Sequence, residues 1–175
     1  MSLKPDPDTL SSLSALLKLG AHYLNVAKDT GRARMIYERC ITEYPLDFRA
    51  YYNLGNVFSA DDGDGVDLAL SSYIRAVELS PNTIQAYGVI SALLIKKARP
   101  EAAARASYQG LLVDPTDQAC MYNLNISLRQ VGRIEQAIAY TWAVLKDVHM
   151  KRREAQAALK GGLASATLSR STHSQ

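Results

Sequence analysis

Four alanines, Ala33, Ala69, Ala103 and Ala137, stand 36, 34 and 34 residues apart. A second series, Leu19, Leu54, Ile90 and Leu124, runs in register with them, and Pro45, Pro81 and Pro115 close the first three intervals. A period near 34 residues is the length of two short helices and two turns. One such unit cannot bury its apolar face alone, so the spacing predicts neighbouring units stacked into an elongated array with a shared core.

The unit from Phe48 to Thr83 shows the pattern most completely. Tyr51, Leu54, Gly55 and Phe58 fall on one side of a first helix, and Ala69, Tyr73 and Ala76 fall on one side of a second. Pro81 follows, where its missing N–H ends the run. Small residues let the two backbones approach, and aromatics fill the wedge between this pair and the next.

Tyr51, Leu54, Gly55, Phe58, Ala69, Tyr73 and Pro81 meet the pattern of the tetratricopeptide repeat nearly in full, and the chain resembles that family from about residue 12 to 149. The first unit carries Leu16, Leu19, Gly20, Tyr23, Ala33, Tyr37 and Pro45. The third keeps Tyr87, Ile90, Leu94, Ala103 and Pro115 but has Ser91 for the glycine and Ser107 for an aromatic. The fourth keeps Leu124, Leu128, Gly132 and Ala137, with Asn125, Thr141 and His149 at the glycine, aromatic and proline positions. The resemblance implies an all-α, right-handed solenoid of four antiparallel helix pairs plus a C-terminal capping helix.

Eight helices are expected, near 10–27, 31–44, 47–60, 66–79, 82–97, 100–113, 116–130 and 133–147. The second unit has about two extra residues in its first turn, around Asp61 to Gly65. The organisation read from these patterns is an N-terminal leader at 1–11, the four-unit repeat domain at 12–149, a capping helix at 150–164 and a flexible Ser/Thr-rich tail at 165–175.

Composition narrows function. Twenty Lys and Arg against 17 Asp and Glu, interspersed along the chain, do not make nucleic acid the expected partner. The clusters Lys96, Lys97, Arg99 and Lys151, Arg152, Arg153 lack the longer basic track and interleaved aromatics that such binding needs. Two cysteines, Cys40 and Cys120, suit a reducing compartment rather than a disulfide scaffold. With no apolar run long enough for transmembrane insertion and no secretory pattern in the first residues, the reading is cytoplasmic, with nuclear entry left open.

Catalytic and metal signals are absent from the pattern. His22, His149 and His173 are widely separated, neither cysteine has a catalytic histidine nearby in sequence, and no phosphate-cradling loop occurs, so no enzyme, cofactor or metal is expected. The acidic turn Asp61, Asp62, Asp64 and Asp67 lacks the ordered ligand spacing of a calcium loop.

The resemblance implies protein recognition in a concave groove lined by the first helix of each pair. Residues outside the core pattern on those helices are the candidate lining: Arg49, Tyr52, Asn56, Gln85, Ile95, Lys96, Tyr122, Ile126, Arg129 and Gln130. Tyr and Arg supply large contacts with directional hydrogen bonds. A branch of the family grips a terminal carboxylate with a basic and amide clamp. Here Leu17, Ala21, Gln85 and Val89 stand at four of its five positions and Asn53 alone matches. The expected function is a non-catalytic adaptor binding a peptide or helix of a partner. A regulatory or targeting subunit of a larger enzyme or complex and a self-associating structural subunit are the alternatives.

Overall fold

The computed structural model describes residues 12–60 and 65–137, with 139, 146 and 150. The expected leader, capping helix beyond Met150 and Ser/Thr-rich tail, together with residues 61–64, Thr141 and His149, lie outside the described residues. Seven helices are described throughout: α1 (Leu13–Asn25), α2 (Thr30–Glu43), α3 (Phe48–Ala60), α4 (Gly65–Leu79), α5 (Ile84–Lys96), α6 (Pro100–Val113) and α7 (Gln118–Gln130). Residues 134–137 open an eighth, and 139, 146 and 150 are helical. There is no strand among the described residues.

Each helix packs on the next in the chain, and α1 also touches α3 while α5 touches α7. The first helices thus lie side by side in pairs one and two and again in pairs three and four. The result is an all-α solenoid of stacked helix pairs with a tetratricopeptide-like arrangement, as the resemblance implies.

The turns between units explain both the prolines and the helix boundaries. Tyr44–Asp47, Ser80–Thr83 and Asp114–Asp117 each close a four-residue turn, with the last N–H donating to the first carbonyl at 3.1, 3.1 and 3.2 Å. Pro45, Pro81 and Pro115 occupy the second position of these turns, where a fixed φ near −65° is already correct. Because the turn uses its own residues, α5 and α7 begin two residues later than expected. The final turn residue then serves the next helix. Asp117 accepts from the Cys120 N–H at 2.7 Å, and Asp47 accepts from the Arg49 N–H at 3.0 Å. Thr83 makes no such bond, and its hydroxyl is buried without a partner.

The turns inside the units reverse the chain differently. Lys28, Ala98 and Gly132 adopt left-handed backbone with φ of 55°, 53° and 76°. Beyond α5, the Arg99 N–H reaches back to the Leu94 carbonyl and the Ala98 N–H to the Ile95 carbonyl, both at 2.9 Å, so orphan carbonyls of the last turn are satisfied. Glycine takes this conformation without strain at residue 132; Lys28 and Ala98 do not.

Packing within the units follows a size rule. Ala33, Ala69, Ala103 and Ala137 are all buried to 1% exposure or less. In the first two pairs, Tyr37 and Tyr73 lie flat against Gly20 and Gly55, so a Cβ added to Gly55 would come within 2.8 Å of the Tyr73 ring. In the third pair both partners change together. Ser91 stands for the glycine and Ser107 for the tyrosine, and each is fully buried. Ser91 donates to the Gly88 carbonyl at 2.9 Å and accepts from Asn123 at 2.8 Å. The third pair thus has no counterpart of the tyrosine-on-glycine contact: Ser91 turns to α7 through Asn123, and the Ser107 hydroxyl is buried without a partner.

Apolar burial divides into two clusters. The larger runs from Leu16 to Ala103, and the smaller joins Leu111, Cys120 and Leu124 with flanking Ile84, Tyr87 and Leu128.

Two glycines should answer the same substitution with opposite signs. Gly55→Ala forces the methyl into Tyr73 and lowers stability by about 1–3 kcal/mol. Gly31→Ala on exposed α2 meets nothing closer than 3.5 Å and raises it by about 0.5–1 kcal/mol; urea unfolding followed by circular dichroism checks both. Ala98→Gly relieves the left-handed backbone and gains about 1 kcal/mol in the same assay.

Candidate functional site

The first-helix layer carries all ten residues expected to line a groove. Arg49, Tyr52 and Asn56 lie on α3, Gln85, Ile95 and Lys96 on α5, and Tyr122, Ile126, Arg129 and Gln130 on α7. Their engagement differs sharply. Arg49 grips Asp47 through two guanidinium nitrogens, with contacts of 2.7 and 2.9 Å, and this pairing holds the Asp47 carboxyl below its usual range. Tyr52 packs edge-on against Tyr73 with ring centroids 5.5 Å apart. Asn56 Oδ1 accepts from the Tyr73 hydroxyl at 2.7 Å. Ile95 is half-buried against the main core. Tyr52, Asn56 and Ile95 thus serve the solenoid's own packing, and Arg49 is engaged at the turn that opens α3.

The α7 residues are more open. Tyr122 is 67% exposed, a high value for a large aromatic ring. Tyr122, Ile126 and Arg129 are spaced four and three residues apart, which places them on one helix face. Arg129 also lines a recess of about 190 Å³ with Asn125, Ile134 and Ala137. Gln85, Lys96 and Gln130 are exposed. Of the basic turn on the same side, Lys97 is committed to Asp67 on α4 at 2.6 Å.

A polar cavity of about 390 Å³ opens where the first two pairs meet, reached by Asn25, Lys28, Thr30, Tyr37, Asn53 and Asn56. Only Asn56 among these belongs to the expected set. The signal that would have found it lies in the repeat itself. Tyr73 has Asn56 and Ser59 for its hydroxyl, at 2.7 and 3.3 Å, whereas the positions one unit earlier are Ala21 and Leu24. The Tyr37 hydroxyl is accordingly buried without a partner.

Neither cysteine is placed for nucleophilic chemistry. Both are free and fully buried. Cys120 sits in the first turn of α7, where a helix N-terminus lowers a thiol pKa. Burial overrides that effect, and with the hydrogen bond and charge of Asp117 it pushes the thiol up to about 12. Among the described residues no group of three or more His, Cys, Asp or Glu side chains could hold a metal ion. No helix among them is long and apolar enough to cross a membrane.

Helix pairs built around buried alanines, each helix packed on the next in the chain, define the chain as an all-α helical-repeat protein. No protein-family model matches the chain, and no curated protein matches it. Solved structures do. A crystal structure of MamA aligns with a TM-score of 0.69 at 19% identity, covering 81% of this chain and 81% of that one. A second MamA crystal structure gives 0.69 at 19%, over 81% and 76% of the two chains. A MamA RS-1 double mutant gives 0.66 at 18%, over 80% and 77%. At this level of identity the likeness establishes the fold.

Alkaline pH tests the burial of Cys120. The thiol ionises at about 8.5 in an unfolded chain and near 12 in the folded one. The folded state then holds the extra proton, so its stability falls as pH rises across that window. Urea midpoints measured from pH 8 to 10 should decline more steeply for wild type than for Cys120→Ala.

Proposed function

We propose that this chain is a non-catalytic protein-recognition module that binds a peptide or helix of a partner along the layer formed by α1, α3, α5 and α7. The observation that carries the reading is the face of α7. Tyr122 is held largely in solvent on the same helix face as Ile126 and Arg129, and it is more exposed than any other tyrosine among the described residues. An exposed aromatic flanked by an aliphatic and a guanidinium is the composition of a recognition hot spot, since each adds large contact area or directional donors when water is excluded. Buried, protonated thiols and the lack of a metal-ligating cluster among the described residues fit recognition better than chemistry. The established helical-repeat fold supports the same reading, because stacked pairs present a continuous surface longer than one helix.

Affinity purification with gentle crosslinking should recover a partner with wild type and lose it with Tyr122→Ala, Arg129→Ala. The variant should keep its helical circular dichroism, since neither side chain belongs to the core. Equal recovery by both proteins rejects the α7 face as the binding surface.

A further inference from the structure

A recess of about 620 Å³ opens where α6, α7 and the start of α8 meet. Its floor is apolar, formed by Leu124, Leu128 and Val131, which stand four and three residues apart on one face of α7. Two residues are a little over half a turn of an α-helix, so Leu124 points away from Tyr122. The recess therefore lies on the opposite side of α7 from the face already described.

The repeat provides an internal control, because the same place is filled at both earlier junctions. Residues 34, 70 and 104 each follow the buried alanine of their unit, and residues 58, 94 and 128 correspond on the first helix of the next. At the first junction the Arg34 guanidinium lies 5.2 Å from the centre of the Phe58 ring. At the second, Leu70 is buried in the main core with Ile90 and Leu94. The third has Ala104, which carries no atom beyond Cβ, and the recess opens beside it. The mouth differs as well. Asp67 holds Lys97 at 2.6 Å across the second junction, whereas the corresponding residues at the third are Glu101 and Val131. No such bridge closes this side. A leucine-sized side chain from outside the chain would remove the floor from water, as Leu70 does from inside it.

Charge at the rim narrows what could carry that side chain. Arg105 stands where the second junction has Ser71, and Arg133 where it has Arg99. Both line the recess and are exposed, against one carboxylate, Glu101. Two guanidiniums to one carboxylate leave the rim positive, and a guanidinium fork matches a carboxylate through paired hydrogen bonds. An aliphatic centre with acidic neighbours is complementary to floor and rim together.

We infer that this recess docks a polypeptide segment of a partner through one leucine-sized aliphatic side chain, with Arg105 and Arg133 pairing with acidic side chains beside it. The site shares with the proposed function only the premise that the chain recognises proteins.

The test is a titration of the full chain labelled at its Leu and Val methyl groups, read at Leu124, Leu128 and Val131. The probes are pentapeptides, acetylated and amidated so that none has a charged terminus: leucine flanked on each side by two glutamates, the same with glutamine or with lysine for glutamate, and the glutamate peptide with alanine for leucine. The leucine–glutamate peptide should shift these methyls saturably, with a Kd of about 1 mM. The alanine peptide should bind at least about tenfold more weakly. The glutamine peptide should bind about threefold more weakly, a gap that closes at about 1 M salt. Ala104→Leu, which installs the residue found one unit earlier, should fill the recess and weaken binding at least about tenfold, with a thermal midpoint no lower than wild type. Arg105→Ser, again the residue one unit earlier, should weaken the glutamate peptide and leave the glutamine peptide unchanged. No saturable shift, equal affinity for the alanine peptide, tighter binding of the lysine peptide, or wild-type affinity in both variants would overturn the inference. Shifts of the same methyls on dilution without peptide would overturn it too, by assigning the recess to a second copy of this chain. Tyr122→Ala, Arg129→Ala should leave this titration unchanged, so the failure of either proposal is visible without the other.

Discussion

The contact on which the array depends is the approach of two helix backbones across an alanine that excludes all solvent. Ala33, Ala69 and Ala103 are each at zero exposure. A larger side chain there would push apart the members of its own pair and, through them, the surface offered to the next. Dispersion is short-ranged, so a small separation forfeits much of the attraction along the whole seam. The alanine ladder is thus the condition for stacking, and Leu54, Ile90 and Leu124, all buried, supply apolar area that makes stacking favourable, with Leu16 rather than Leu19 doing so in the first unit.

Much of this architecture was legible in the chain because the determinants are local and periodic. Helix order, the buried alanines and the proline turns all follow from residue type at a fixed interval, and burial of Cys40 follows from its place one turn after Tyr37. The boundaries were less legible. The expected start of the first helix at about residue 10 ignored Ser12, whose hydroxyl accepts from the Ala15 N–H, and the expected later starts ignored turns that close on their own residues.

The candidate surface was readable as a layer but not residue by residue. A helical face predicts which way a side chain leaves the backbone. It does not say whether a neighbour on another helix will claim it. Tyr52 and Asn56 were both claimed by Tyr73, seventeen or more positions away in the sequence, while Tyr122 at the position corresponding to Tyr52 was not. The Tyr37 cavity was hidden for the complementary reason: its character comes from two apolar residues, Ala21 and Leu24, standing where a hydrogen-bonding pair would be needed. A missing partner leaves no motif and shows only when units are compared position against position.

The described apolar interior falls into two clusters, and the seam of α7 with the preceding pair is held by more than apolar burial. Beside Leu111, Cys120 and Leu124, the buried amide of Asn123 donates to the Gly88 carbonyl at 3.0 Å and to the Ser91 hydroxyl at 2.8 Å. Hydrogen bonds have fixed directions where apolar contacts do not, so this bridge sets the rotation of α7 against α5. The outward face that carries Tyr122 is thereby given a fixed bearing relative to the pair before it.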